Sequence, residues 1–167
     1  MMKPSIEYLR QRIKVDTEKG VVTWVDATRH HKELNGLEAG CSRRSSHHNK
    51  RYWYVKIDSL ALKRSHIVFL FGVGHWPVNQ VDHINGNSLD DRITNLRGAT
   101  STQNAWNHKH RAKQSPTPMG VRQTKSGRYQ ARIACNKKQI AIGTFETAEQ
   151  AFEIYQQKRK ELFGDYA

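Results

Sequence analysis

The sequence predicts an α+β protein made of two parts joined by a short linker. Two prolines stand within three residues, at Pro116 and Pro118. Because such a segment disfavours both helix and ladder pairing, residues 114–118 are expected to form a stiff, extended connection. Short apolar runs separated by turn residues precede it, and three short strand-like runs and one amphipathic helix follow it. We therefore expect domains over residues 1–113 and 119–167.

The charge of the chain indicates its class of partner. There are 28 Lys and Arg residues against 15 Asp and Glu residues, a formal net charge of +13. A basic chain of this kind favours a polyanion, with nucleic acid as the first candidate. Positive charge alone does not identify the anion, so a ribosomal-type or membrane-surface protein is the alternative at this point.

Other features favour a soluble, cytoplasmic protein. The longest apolar run, residues 67–73, is too short to span a bilayer, and the first residues lack the apolar stretch of a secretory signal. Cys41 and Cys135 lie far apart, and neither has a Cys-x-x-Cys partner. They are expected to be free thiols in a reducing compartment.

Before the linker, the patterning predicts an N-terminal extension with two β-hairpins. A short helix is expected over residues 6–13, followed by a hairpin over residues 15–25. Residues 26–50 are predicted to be a long loop, and residues 52–63 a second hairpin that turns at Asp58-Ser59. Ser65 is expected to cap a short apolar helix that follows.

The middle of the chain carries the residues that predict chemistry. Asp82 and His83 are adjacent at the end of a short strand, just before the strong turn signal Asn85-Gly86. A second strand beginning near Asn95 can return antiparallel, which brings Asn95 beside His83. A capping-box pattern at residues 100–103 then starts a helix that presents Asn104 in its first turn.

These side chains suit metal-assisted phosphodiester hydrolysis. The oxygens of Asp82 and Asn104 are hard ligands of the kind that Mg²⁺ or Mn²⁺ prefers. Histidine changes charge near neutral pH, so His83 can accept a proton from an attacking water. Asn95 can hold the imidazole in the required tautomer through its side chain or its backbone carbonyl. The alternative is that Asp and Asn here only form turns, as they commonly do.

The motif resembles the ββα-metal motif of HNH endonucleases. The resemblance is to the phage homing branch, whose third position is Asn, and its residues are Asp82-His83-Ile84-Asn85-Gly86-Asn87, Asn95-Leu96-Arg97 and Gln103-Asn104. Further similar segments are residues 20–24, 63–67 and 75–77. In residues 63–67 the usual His-Arg-Leu is absent, because Ile67 follows His66, which we expect to be a packing histidine.

The resemblance implies a nuclease core over residues 64–113. It implies that His83 is the general base, that Asp82 and Asn104 bind one divalent ion, Mg²⁺ or Mn²⁺, and that Asn95 orients His83. The products would be a 5′-phosphate and a 3′-hydroxyl. It further implies a monomer that acts on double-stranded DNA, with no small-molecule substrate, in the host cytoplasm if the chain is phage-encoded.

The part after the linker is predicted to be a small three-stranded antiparallel sheet packed on one helix. Period-two alternation places Gln130 and Arg132 on one face of the middle strand, and Ala131 and Ile133 on the other. A sheet of this size fits the DNA major groove, where Arg reads guanine and Gln reads adenine. The alternative is a solvated basic face without a ligand.

Residues 119–167 resemble the ethylene-response-factor DNA-binding domain of plants. The matching residues are Gly120-Val121-Arg122-Gln123, Gly127-Arg128-Tyr129, Ile142-Gly143-Thr144-Phe145 and Thr147-Ala148-Glu149-Gln150-Ala151. This resemblance implies that the sheet enters the major groove. Plant members present Arg or Trp at several positions that are Thr124, Ser126, Ala134 and Ala141 here, so the plant target sequence is not expected to carry over.

The leading prediction is therefore a site-specific, metal-dependent DNA endonuclease. Eleven residues are expected to contact DNA: Arg97, Lys109, Arg111, Lys113, Arg122, Arg128, Gln130, Arg132, Lys137, Lys138 and Gln139. The alternative is a non-catalytic, sequence-specific DNA-binding regulator with a degenerate HNH fold. A third class, an RNA-binding basic protein, lacks an aromatic RNA-recognition signature.

Overall fold

The chain divides into two compact units, Met1–Ser101 and Thr102–Ala167, which are described separately. The computed structural model describes residues 3–27, 31–45, 50–106, 116–135 and 138–166, without the side chains of residues 105 and 106. The division comes earlier in the chain than the predicted linker. Residues 114 and 115 of that linker lie outside the described part, and the predicted domain boundaries stay a prediction. The mixture of helix and sheet expected from the sequence is confirmed.

The first unit begins with a short helix and a hairpin. Helix α1 (Ile6–Arg12) starts at Ser5, whose Oγ accepts a hydrogen bond from the backbone N–H of Tyr8 at 3.1 Å. Strands β1 (Ile13–Asp16) and β2 (Val21–Trp24) then pair antiparallel. The sequence assigned residue 13 to the helix, but its extended backbone and its pairing with Trp24 place it in the strand.

A three-stranded antiparallel sheet follows. It contains β3 (Cys41–Arg44), β4 (Arg51–Ile57) and β5 (Leu60–Lys63) in the order β3-β4-β5. The predicted hairpin of β4 and β5 is confirmed. The prediction of a loop over residues 26–50 is wrong for β3 and for a short 3₁₀ helix at Lys32–Leu34, because β3 takes its strand conformation by pairing with β4.

The remaining elements of this unit lead into the motif region. Helix α2 (Arg64–Val73) is followed by strand β6 (Gln80–His83), a 3₁₀ turn and strand β7 (Leu96–Ala99), which pairs antiparallel with β6. Helix α3 (Ser101–Trp106) begins at the division between the units. The expectation that Ser65 caps α2 is wrong, because the helix starts earlier and Ser65 is buried in its first turn.

Helix α2 forms the centre of the first core. Four of its apolar residues, Ile67–Leu70, are buried among residues from α1, β1, β2, β4 and β7. Such a helix is apolar around most of its circumference, which fits a position enclosed on several sides. It carries Arg64 at its first residue into the same buried region.

The second unit is a three-stranded antiparallel sheet and one helix. Strands β8 (Val121–Gln123), β9 (Tyr129–Cys135) and β10 (Lys138–Phe145) are arranged in the order β10-β9-β8. Helix α4 (Ala148–Phe163) is capped by Thr147, whose Oγ1 accepts from the backbone N–H of Gln150 at 3.2 Å. Its face packs on the sheet through Val121, Ala131, Ile133, Ala151, Tyr155 and Phe163.

Within the described residues, no helix has both the length and the apolar character needed to cross a membrane.

Candidate active site

The β6–β7 hairpin places the Asp-His pair at the end of a ladder. Asp82 pairs with Arg97 and His83 pairs with Leu96, after which the chain leaves the sheet. The turn is closed by hydrogen bonds from Ile84 N to Asn95 O at 2.9 Å and from Gly86 N to His83 O at 2.8 Å. Asp82 is 4% exposed and His83 is 7% exposed. Two consecutive polar residues are thus both buried at a defined point of the backbone.

Asp82 lies against a guanidinium. Arg97, on the neighbouring strand, approaches Asp82 Oδ2 with Nε at 2.9 Å and with Nη2 at 2.8 Å. A carboxylate that is this buried is stabilised by an opposite charge at hydrogen-bond distance. Arg97, predicted to contact DNA, is therefore placed beside the predicted metal ligand.

Asn95 holds the turn that follows His83. Its Oδ1 accepts from Asn85 N at 3.0 Å, while its Nδ2 donates to Asn85 Oδ1 at 3.1 Å and to Asp90 O at 2.7 Å. Asn95 does lie near His83, because it immediately precedes Leu96, which pairs with His83 in the ladder. Its side chain thus contacts the backbone and the Asn85 amide of the loop that follows His83.

The carboxylate that contacts the imidazole is Asp91, which the sequence analysis missed. Asp91 Oδ1 lies 2.8 Å from His83 Nε2, and its Oδ2 accepts from Arg64 Nε at 2.7 Å. The side chain of Asp91 is only 1% exposed. The sequence does contain one signal, the adjacent acids Asp90 and Asp91. Of two adjacent carboxylates in one loop, one can face the interior.

Arg64 joins this cluster to the N-terminal extension. Its Nη1 donates to Glu38 Oε1 at 2.7 Å, and its Nη2 donates to the carbonyl of Leu89 at 3.1 Å. The guanidinium also lies over the ring of Trp53, 4.5 Å from the ring centroid. All three of its nitrogens are therefore engaged, and the group is held in one orientation.

The neighbouring acid, Asp90, is in a different environment. Hydrogen bonds from the Arg92 side chain, and secondarily from Asn85, lower the pKa of the Asp90 carboxyl to about 2. Both Arg92 bonds are short, at 2.8 Å and 2.7 Å. Asp90 thus pairs with groups of its own loop, whereas Asp91 contacts the imidazole.

A tyrosine lies near the imidazole, and a lysine lies over the ring of that tyrosine. The Tyr52 ring lies 6.5 Å from the ring of His83, centroid to centroid, and Lys63 Nζ lies 4.4 Å from the centre of the Tyr52 ring. Burial raises the pKa of the Tyr52 hydroxyl and lowers the pKa of the Lys63 ammonium. Tyr52 belongs to β4 and Lys63 to β5, so the three-stranded sheet contributes both groups.

The other predicted site residues lie in the second unit or outside the residues that the structure describes. Asn104 lies in α3. The predicted DNA contacts Lys109, Arg111, Lys113 and Lys137 lie outside the described residues.

One face of the second sheet collects the predicted recognition residues. The registers Arg122↔Gln130, Ala141↔Arg132 and Gln139↔Ala134 place Arg122, Gln130, Arg132 and Gln139 on the same side of the sheet. The opposite side carries Ala131 and Ile133, which are buried against α4. The four side chains therefore form the face turned away from the helix, which we call the outer sheet face.

Two further basic residues, Arg128 and Lys138, lie next to the starts of β9 and β10. Arg128 contacts Glu146 Oε1 at 3.2 Å and donates to the carbonyl of Thr144 at 3.4 Å, while Lys138 is exposed at the start of β10.

The donor set agrees in kind with a divalent metal ion. In the described portion of the chain, His, Cys, Asp and Glu side chains form no group of three or more that could hold a metal. A site built on Asp82 would therefore depend on amide oxygen, phosphate and water for its other ligands. Those are oxygen donors, as Mg²⁺ and Mn²⁺ prefer.

Comparisons with known proteins agree with the class of site. The profile of the family described as HNH endonuclease matches residues 63–106, which contain the β6–β7 hairpin. A protein of Acanthamoeba polyphaga mimivirus named as an uncharacterized HNH endonuclease is 38% identical over 87 residues. The match covers 52% of this chain and 44% of that relative, so the chain spans less than half of the relative's length. No solved structure matches.

These matches support an HNH endonuclease domain in the middle of the chain. They support a nuclease as the class of protein, and HNH nucleases generally use a divalent metal ion.

Proposed function

We propose that the protein is a site-specific, divalent-metal-dependent endonuclease of the homing HNH type that nicks or cuts double-stranded DNA. The observation that carries the proposal is the burial of both Asp82 and His83, two consecutive residues at the end of β6, within the segment that matches the family. A turn-forming Asp would be exposed to solvent, whereas this one is 4% exposed and held by Arg97.

His83 is the proposed general base. The Nε2 atom faces the carboxylate of Asp91, so a neutral ring that carries its proton on Nε2 keeps its basic lone pair on Nδ1. His83 takes a proton from the attacking water there. The water oxygen forms a bond to phosphorus while the bond to the 3′ oxygen breaks, and that oxygen takes up a proton from solvent. The products are a 5′-phosphate and a 3′-hydroxyl.

Asp82 and Asn104 are the proposed ligands of one Mg²⁺ or Mn²⁺ ion. When bound, the ion would polarise the scissile phosphate and stabilise the charge on the leaving oxygen. Arg97 lies on Oδ2 of Asp82 and offsets its charge. Asn95 contributes by fixing the loop after His83, through its bonds to Asn85 and Asp90.

The outer sheet face of the second unit is the proposed recognition surface. Its Arg and Gln side chains offer the donors and acceptors that read base edges in the major groove. Arg128 directly precedes the middle strand β9 and Lys138 begins the edge strand β10, and both are proposed to contact phosphates. We propose a role like that of the ethylene-response-factor domain on the resemblance of residues 119–167 and on this arrangement.

Plasmid cleavage tests the proposal. Supercoiled plasmid libraries of phage and bacterial DNA are incubated with the protein and Mg²⁺ or Mn²⁺, and nicked and linear products are measured. His83→Ala should lower the cleavage rate by at least about 100-fold, because general-base catalysis is lost, while DNA affinity is kept. His75→Ala is the matched control, since His75 is exposed and contacts the carbonyl of Trp76.

The opposite result favours a different function. If the wild-type protein binds DNA tightly but cleaves none of these substrates with either metal, the enzyme proposal fails. A non-catalytic DNA-binding regulator would then be the better assignment.

A further inference from the structure

We infer that Asp91 is a positioning residue that sets the tautomer and orientation of His83, and that Arg64 in turn positions Asp91. The inference rests on the proposed function, because it assigns Asp91 a role in preparing the proposed general base. Neither residue belongs to the Asp82, His83, Asn95 and Asn104 set that the motif predicts.

The carboxylate of Asp91 divides its two oxygens between two partners. Oδ1 faces His83 Nε2 at 2.8 Å, and Oδ2 accepts from Arg64 Nε at 2.7 Å. An ionised carboxylate only accepts hydrogen bonds, so the ring nitrogen that faces it must carry the hydrogen. The contact therefore selects the Nε2–H tautomer of neutral His83 and places the lone pair on Nδ1.

Arg64 holds the carboxylate in place. A side chain that is 1% exposed has little water to solvate its charge, and a guanidinium at hydrogen-bond distance supplies the compensation. Arg64 cannot rotate freely, because Glu38, the carbonyl of Leu89 and the Trp53 ring fix it on three further sides. The N-terminal extension, which contributes Glu38 and Trp53, is in this way part of the support of His83.

A purely structural ion pair would account for the contact between Arg64 and Asp91 Oδ2. It would not account for the contact between Asp91 Oδ1 and the imidazole of His83. The two roles differ in what Asp91→Asn should do. Arg64 can only donate, so the amide oxygen of Asn is expected to turn toward Arg64. The amide NH₂ then faces Nε2 of His83, which must become an acceptor, and the ring proton moves to Nδ1.

The tautomer of His83 is the decisive measurement. Protein with ¹⁵N-labelled histidine is studied by long-range ¹H–¹⁵N NMR at a pH where the ring is neutral, with the His83 signals assigned by their loss in His83→Ala. Wild type should show the Nε2–H form, and Asp91→Asn should shift it toward the Nδ1–H form. An unchanged Nε2–H form in Asp91→Asn would overturn the inference.

Kinetics provide the second measurement. Asp91→Asn should lower kcat for plasmid nicking by at least about 10-fold, as loss of a group that orients a catalytic ligand typically does, with the Kd for DNA unchanged within about twofold. In a His83→Ala background the same substitution should cause no further loss, because Asp91 acts through the ring. Equal losses in both backgrounds would show a merely structural role.

Two more variants keep the test decisive. Asp90→Asn is the matched control: it removes the adjacent carboxylate, which contacts Arg92 and Asn85, and should leave the His83 tautomer unchanged. Asp91→Glu keeps a carboxylate as the acceptor and should retain the Nε2–H form. This variant supplies the tautomer measurement if Asp91→Asn does not fold. A wild type that shows the Nε2–H form but cuts no DNA would overturn the proposed function while supporting the Asp91 contact.

Discussion

At the residue scale, burial determines the charge of His66. This side chain lies in α2, close to the core, and desolvation followed by the positive charges of Lys63 and Lys3 lowers its pKa to about 4. The ring is therefore neutral in the folded protein near pH 7. His66 is better explained as a packing residue than as a ligand or phosphate contact, as its position in the sequence indicated.

The lowered pKa has a consequence for stability. In the unfolded chain His66 regains its ordinary pKa of about 6.5, so as the pH falls the unfolded state takes up the proton first. The contribution to the free energy of unfolding is full above pH 6.5 and is lost as the pH falls toward 4, by at most about 3 kcal/mol. Urea unfolding from pH 7.5 to 4 should show the decline.

His66→Gln provides the control for that measurement. Carboxylates also titrate in this range, so the difference between the two pH profiles isolates the histidine. The variant should lose less stability than wild type between pH 6.5 and pH 4. Parallel profiles would show that His66 is not a buried neutral histidine.

The predictability of the site also differs from residue to residue. The turn that follows Asp82 and His83 could be predicted from sequence, because Asn85 and Gly86 mark it. The contact of Asp91 with His83 could not, since it depends on the path of the loop between them and on Arg64, 27 residues earlier in the chain. Sequence patterns indicate the geometry of neighbouring residues, whereas this contact joins residues that only the tertiary fold brings together.

At the scale of elements, the β1–β2 turn supports the loop that contains Asp91. Gly20 has a φ of +68°, and an added Cβ would lie 2.4 Å from the carbonyl carbon of Asp91 and 2.5 Å from the nitrogen of Arg92. Thr17 O of the same turn accepts from Ile93 N at 2.9 Å. The turn and the loop therefore meet backbone to backbone, with room for glycine alone.

Gly20→Ala should consequently destabilise the protein by about 2 to 5 kcal/mol, from left-handed strain and overpacking together. The folded fraction should also nick plasmid more slowly, because the displaced backbone carries Asp91. Chemical denaturation measures the first effect, and kcat at a temperature where the variant is folded measures the second.

Gly36→Ala is the matched control for Gly20→Ala. Gly36 has a φ of +84° with nothing within 4 Å of an added Cβ, so it reports the backbone strain alone, about 1 kcal/mol. Equal destabilisation by the two substitutions would show that the turn does not pack against the Asp91 segment.

Elements were predictable where a local signal coincided with the tertiary requirement. Helix α4 follows from Thr147 as its cap and from the spacing of its apolar residues, and the observed helix ends within a residue of the prediction. Strand β3 has no such signal: Cys41–Arg44 are polar and mostly exposed, and they become a strand only by pairing with β4. Pairing partners, rather than intrinsic propensity, determine an edge strand of this kind.

At the scale of the whole molecule, the net charge of +13 predicts strongly salt-dependent DNA binding. Each phosphate neutralised by a Lys or Arg releases counterions, so the logarithm of the binding constant falls linearly with the logarithm of the salt concentration. The charge does not say which residues contact DNA. Location must therefore be tested by substitutions that remove the same charge from different surfaces.

Arg132 and Lys160 provide such a pair in the second unit. Arg132 lies on the outer sheet face in β9, and Lys160 is exposed in the last turn of α4. Arg132→Ala should weaken binding to the preferred site and relax the choice of bases there, by about 1 to 3 kcal/mol if it reads a base edge. Lys160→Ala should leave specificity unchanged, although the net charge falls equally in both variants.

Binding isotherms at several salt concentrations, with a preferred duplex selected from a random library and a shuffled duplex, separate the two effects. If Arg132 contacts a base, Arg132→Ala reduces the affinity ratio between the duplexes; if it contacts phosphate, both affinities fall and the salt slope decreases by about 1. Either result places DNA on the outer sheet face, and the cleavage rate of an already bound duplex should not change. Equal effects of Arg132→Ala and Lys160→Ala would mean that only the total charge matters and that the sheet is not the recognition surface.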